Sequence, residues 1–285
     1  MLKIKAFVKR HPVLVYYALV FAISWGCILI VLGPGGFLGT SVTTQTQLFV
    51  GGPISLLGPS ISGVLLTGLI YGKPGLRLLL SRLLKWRVMA GWYALVFLIA
   101  PVLTTISLLA LSITPAIVTA EDKVGMLFSG IALGFFSSPF FEELGWTGFA
   151  TPELRKRFSV LETGLIMGLL WGVWRFPIFS ASARDSTSLP PALFMAVLLF
   201  SWLLPYRVLM VWVYDHTKSL LLSILMHVPL IVGQFVLWPS DSTSAQIVSG
   251  TLVFTATLWA LVVLVFAVGR GSLKARPGLT TIGGG

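Results

Sequence analysis

The stretch "GMLFSGIALGFFSSPFFEELGWTGF", Gly125 to Phe149, sets a long apolar run against two adjacent acids, Glu142 and Glu143. Two placements are open. The acids can be ordinary charges where a helix leaves a membrane, or a buried pair within one. A charge near the bilayer centre costs about 2.5–3.5 kcal/mol on insertion scales, so a buried acid implies a partner and a task. What the run belongs to is decided by the rest of the chain.

Of its 285 residues, 56% are hydrophobic and 10% charged. A water-soluble domain carries about 25% charged residues, so this chain lacks the polar surface to face water. Apolar stretches of spanning length recur at roughly 12–32, 48–71, 90–113, 124–144, 160–180, 190–214, 219–238 and 248–269. The expected fold class is therefore all-α, a polytopic membrane protein with about eight transmembrane helices. Alternating the spans sends Lys3, Lys5, Lys9, Arg10, Lys73, Arg77, Arg82, Lys85, Arg87, Arg155, Lys156, Arg157, Lys218, Arg270, Lys274 and Arg276 to one side. The other side receives Lys123 and Arg184, while Arg175 and Arg207 fall within spans. The positive-inside rule then places both termini in the cytoplasm.

The formal charge of +11 is distributed through these clusters. It reads as topology signals and contacts with membrane lipids, not as a nucleic-acid surface. The single cysteine, Cys27, excludes an intrachain disulfide and reads as a small apolar side chain. Met1 to Arg10 is basic, but the apolar stretch behind it is too long for a typical signal peptide and shows no small-x-small cleavage site. It reads as a retained first helix. "KPGLRLLLSRLLKWRV" (Lys73–Val88) alternates leucine with arginine at helical spacing and predicts one amphipathic helix at the cytoplasmic interface. Residues 1–275 are expected to form a single transmembrane helical domain, with 276–285, rich in glycine, as a flexible tail.

Helical periodicity brings out a polar face on three spans. Gly130, Gly134, Ser138 and Glu142 recur every fourth residue, as do Gly164, Gly168 and Gly172, and Ser219, Ser223 and His227. Small-residue stripes let helices approach closely. Trp171 and Arg175 lie one turn apart, and Glu143 is displaced by about 100° from Glu142. The economical inference is that these faces meet and that Glu142, Glu143, Arg175 and His227 share a cavity, with Pro139 and Pro229 bending the helices beside it. Taken singly, His227 reads as a core histidine and Arg175 as a structural ion-pair arginine. Arg207 reads as snorkelling or pairing with a carboxylate, and Asp215 and His216 as interfacial and solvated. Trp146, Trp171 and Trp174 read as packing.

Three segments, "EELGWTGFATPELRKRF" (142–158), "GLLWGVWRFPIF" (168–179) and "YDHTKSLLLSILMHVPL" (214–230), resemble the motif regions of the CPBP intramembrane proteases. These are the relatives of CAAX prenyl protease 2 and of bacteriocin-processing enzymes. "RLLKWRVMAGWY" (82–93) resembles the segment before their core, and the similarity covers about 76–234. The resemblance implies a helical bundle of about eight spans and peptide hydrolysis within the membrane. Glu142 and Glu143 match the family's double glutamate, Trp171 its aromatic position and His227 its last histidine. Thr147 stands where the first motif has arginine, Arg175 where the second has histidine, and Ile231 where the third has asparagine.

In the family-like reading Glu142 is the base that activates water, Glu143 holds the geometry, and His227 orients the water or donates to the oxyanion. Arginine has no acceptor lone pair and stays protonated, so Arg175 can neither ligate a metal nor shuttle a proton. It can donate to an oxyanion, or bridge to Glu142 and weaken it as a base. The candidate catalytic residues are Glu142, Glu143, Arg175 and His227. No cofactor is expected; zinc, nominally within reach of two glutamates and a histidine, is disfavoured by the cation at 175. Two functions follow: an endopeptidase acting on a peptide or protein substrate, lipid-modified chains included, or a catalytically degenerate membrane binding protein on the same scaffold. A transporter has less support, because no inverted repeat is visible. A bacterial plasma membrane is the expected setting.

Overall fold

The structure, a computed structural model, describes residues 2–136, 139–186 and 189–268. It is all-α, with no strand among the described residues. After an N-terminal helix, Leu2–Arg10, the main elements are α1 (Pro12–Phe37), α2 (Leu57–Leu83), α3 (Ala90–Ala110), α4 (Lys123–Phe136) and α5 (Pro139–Gly145). They continue with α6 (Val160–Arg184), α7 (Pro191–Phe200), α8 (Leu203–Thr217), α9 (Leu220–Val236) and α10 (Ser244–Val268). Ser138 and the 276–285 tail lie outside the described residues.

Seven helical runs are long and apolar enough to cross a membrane, and α9, with 17 residues, falls just short of that length. Its ends nevertheless lie on opposite sides. Ser219, before α9, donates its hydroxyl to the Lys85 carbonyl at 2.6 Å, in the loop between α2 and α3. Leu237, after α9, accepts from the Ala116 amide at 2.9 Å, in the loop between α3 and α4. Other loops agree with the alternation. On the basic side Lys156 donates to the Tyr71 hydroxyl at 2.8 Å, and on the opposite side Thr44 donates to Asp185 at 2.9 Å. The chain is thus a multi-pass membrane protein in which the short α9 brings the crossings to eight among the described residues.

Several spans run further than hydropathy alone indicates. α1 continues past a kink at Gly33, where φ is 71°. The carbonyl of Gly36 beyond that kink accepts from Gln47 Nε2 at 2.7 Å; the same amide donates to Ser180 Oγ at 2.7 Å, and Gln47 Oε1 accepts from the Ala181 amide at 2.8 Å. One buried glutamine therefore ties α1 to α6 and satisfies backbone groups left by an irregular turn. α2 bends at Gly72, where φ is 63°, so the amphipathic segment is its continuation, with Leu76, Leu78 and Leu80 on the outside. The glutamate-bearing run continues past both acids. α5 passes into a π turn, Trp146–Ala150, and a last helical turn, Thr151–Arg155, before a capping box of Ser159 and Glu162 starts α6.

Packing places the apolar exterior toward lipid and an aromatic core inside. Ile30, Phe49 and Phe128 are exposed, whereas Tyr16, Trp146, Trp171, Trp174 and Tyr206 are fully buried. The glycine faces do not meet one another as expected. A Cβ at Gly134 would lie 2.6 Å from Val232 on α9, and one at Gly168 would lie 2.7 Å from the Leu204 backbone on α8. The α4 stripe thus serves α9, and the α6 stripe draws α8 close. A third approach, α2 to α5, puts the Cβ position of Gly63 2.7 Å from Gly145 Cα. Gly168→Val should therefore force α6 and α8 apart. Overpacking costs about 1–3 kcal/mol, and thermal unfolding in detergent should show a clear loss of Tm.

Candidate active site

Adjacent helical positions point about 100° apart, and α5 uses this to send its two acids to different partners. Glu142 faces α6. Its Oε2 accepts from Trp171 Nε1 at 2.7 Å and its Oε1 from Arg175 Nη2 at 3.1 Å. Glu143 faces α8 and α9. Its two oxygens accept from Arg207 Nη1 at 3.0 and 2.9 Å, and Oε1 also pairs with His227 Nδ1 at 3.1 Å. Thr147, one turn on from Glu143, donates its hydroxyl to Oε2. The structure therefore brings together all four residues singled out in the sequence, in two linked pairs.

Trp171 joins the pairs. Its indole contacts the His227 ring edge-on, with centroids 5.2 Å apart. The Arg207 and Arg175 guanidinium carbons lie 4.1 and 4.8 Å from its ring centroid, within cation–π range. The indole is thus a hydrogen-bond donor and a cation platform as well as packing. Glu142, Glu143, Arg207 and His227 are buried, and the Arg175 side chain, 16% exposed, is the member that reaches the edge of the cluster. His227 lies about 10 Å along α9 from its first residue, at 1.5 Å per residue, so the cluster is well below the basic side of the bundle.

Two acids opposite two guanidiniums leave the cluster balanced in charge, which a low-dielectric interior requires. Arg207 is the member that sequence reasoning left between two readings. The signal was charge balance: two buried acids need two cations, and Arg175 is one. The Arg207 guanidinium reaches Glu143 from α8, and the Thr147 hydroxyl, one turn from Glu143, takes the remaining place on Oε2. Ile231, one turn past His227, is partly buried and brings no polar group.

Asp215 departs from the solvated reading. It is buried, with Arg155 Nη2 at 3.0 Å and Lys218 Nζ at 2.5 Å, and it ties the end of α8 to the turn before α6. His216 is exposed.

Many-span helical architecture with a charged cluster enclosed between helices defines a class of intramembrane protein. Comparison narrows it. Residues 124–230 match the family described as Type II CAAX prenyl endopeptidase Rce1-like. The chain is also similar to CAAX prenyl protease 2 of Methanococcus maripaludis, 30% identical over 89 residues, or 30% of this chain and 33% of that protein. The chain thus spans about a third of the length of the curated relative it matches. The family match spans Glu142, Glu143, Trp171, Arg175, Arg207 and His227, the residues that build the cluster.

Removing one partner of a buried ion pair costs about 3–5 kcal/mol, because the other charge is left uncompensated. Glu143→Gln and Arg207→Met should each lower the thermal midpoint sharply. The double variant should lose far less than the sum, and a melting series in one detergent gives this comparison directly.

Proposed function

We propose that the protein is an intramembrane endopeptidase in which Glu142 activates water, Arg175 faces the developing oxyanion, and Trp171 holds the base. The observation that carries this reading is the asymmetry of Glu142. Each of its oxygens has one protein donor, Trp171 or Arg175, whereas a carboxylate oxygen has two lone pairs. A water can bond there without displacing either donor. In the reaction, water gives a proton to Glu142 as its oxygen bonds to the peptide carbonyl carbon. Charge on the carbonyl oxygen meets Arg175, and Glu142 returns the proton to the leaving nitrogen as the C–N bond breaks. Substrate would be a membrane-embedded peptide or protein, with lipid-modified C termini the first class to test, given the names of the matched proteins. A bacterial plasma membrane is the setting we place it in.

The donor set does not fit zinc. No group of three His, Cys, Asp or Glu side chains placed to hold a metal ion occurs among the described residues. Arg175 and Arg207 already occupy the acids and would repel a divalent cation.

A second reading is favoured by one contact. Arg175 lies at bonding distance from Glu142, and a neighbouring cation weakens a carboxylate as a base. On this reading the protein binds a membrane peptide without cutting it. Reconstitution in liposomes with a panel of membrane peptides, prenylated C termini included, separates the two. Cleavage by the natural chain that falls about 10²–10⁴-fold in Glu142→Gln, the usual range for a general base, supports the protease. No cleavage by the natural chain, with turnover gained in Arg175→His, establishes the non-cleaving protein.

A further inference from the structure

Hydrogen-bond capacity around Glu143 fixes more than the position of His227. An ionised carboxylate only accepts, with about four lone-pair sites. All four are used: Arg207 Nη1 reaches both oxygens, His227 Nδ1 meets Oε1, and Thr147 meets Oε2. The nitrogen of His227 that faces Glu143 must therefore carry a proton. His227 Nε2 is buried and has no hydrogen-bond partner among the described residues. Were both nitrogens protonated, the buried cluster of two acids and two guanidiniums would gain a net positive charge in a dry interior, at high cost.

We infer that Arg207 is a positioning residue: through Glu143 it holds His227 as the neutral Nδ1–H tautomer, so that Nε2 offers a lone pair to a water in the site. This rests on the proposed site and deepens it. Of the two roles open to His227, orienting the attacking water or donating to the oxyanion, the resting tautomer permits the first. Arg175 is then the donor left for the oxyanion. Arg207 touches no reacting atom. Its part is to keep Glu143 ionised and aligned, from a position on α8. The carboxylate–imidazole arrangement follows the general rule that the bond at one ring nitrogen sets the state of the other.

The test reads the tautomer without needing turnover. The chain has 3 histidines, His11, His216 and His227, so ring-¹⁵N histidine labelling of the full chain in lipid nanodiscs gives a small set of signals. His227→Gln identifies which belong to His227. At neutral pH we expect a protonated Nδ1 and an unprotonated Nε2, loss of that single tautomer in Arg207→Met, and its return in Thr147→Arg/Arg207→Met. A proton on Nε2 in the natural chain overturns the inference. So does a folded Arg207→Met protein with the tautomer unchanged. Should Arg207→Met not fold, the double variant carries the test, and a folded double variant with its proton moved to Nε2 again overturns it. A chain that shows the expected tautomer but cuts no substrate would end the protease reading and leave this one standing.

Discussion

Arg207 and Glu143 meet where neither reaches water, and the rest of the centre is arranged around that contact. A buried carboxylate without a cation, or a buried guanidinium without an acid, would be more than a domain of marginal stability tolerates. Their pairing binds α5 to α8, and His227 and Thr147 complete the shell of Glu143. The second pair, Arg175 with Glu142, is less enclosed, because Arg175 reaches the edge of the cluster. One acid is thus committed to holding the structure. The other keeps unused acceptor capacity beside a partly accessible cation, which is the arrangement the proposed hydrolysis asks for.

Glycine makes these contacts geometrically attainable. Close approach of α6 to α8 at Gly168, and of α2 to α5 at Gly63 and Gly145, brings the bearing helices near enough for side chains to span the gap. In lipid, helices gain little from hydrophobic exclusion of one another, so tight packing and polar contacts carry association. The indole of Trp171 supplies what neither charge pair can: a rigid body that touches both guanidiniums and the imidazole and donates to Glu142.

Much of this was readable in the residues. Hydropathy and the distribution of lysine and arginine give the helical membrane class and the alternation of sides, because both follow from one-dimensional constraints of the bilayer. The glutamate pair, Arg175 and His227 stood out because charge in an apolar segment demands a reason. Arg207 did not resolve, since its partner is 64 positions away and a mid-span arginine has several outlets. The glycine stripes were visible, but not which helix each one serves: periodicity gives a face, and only packing gives its neighbour. Asp215 looked solvated because a residue near a span's end usually is; here Arg155 and Lys218 enclose it.

The family match covers 124–230, yet the acid-bearing helix leans on segments well outside that window. The Cβ position of Gly145 falls against the Tyr16 hydroxyl of α1 and the Pro59 carbonyl of α2, and Tyr16 packs on Trp146 at 5.8 Å between centroids. The portion of the chain most recognisable by descent is therefore not a self-sufficient machine. The first two crossings pack directly on the turn that follows the glutamates, so a change in α1 or α2 is felt beside the acids even when residues 124–230 are untouched.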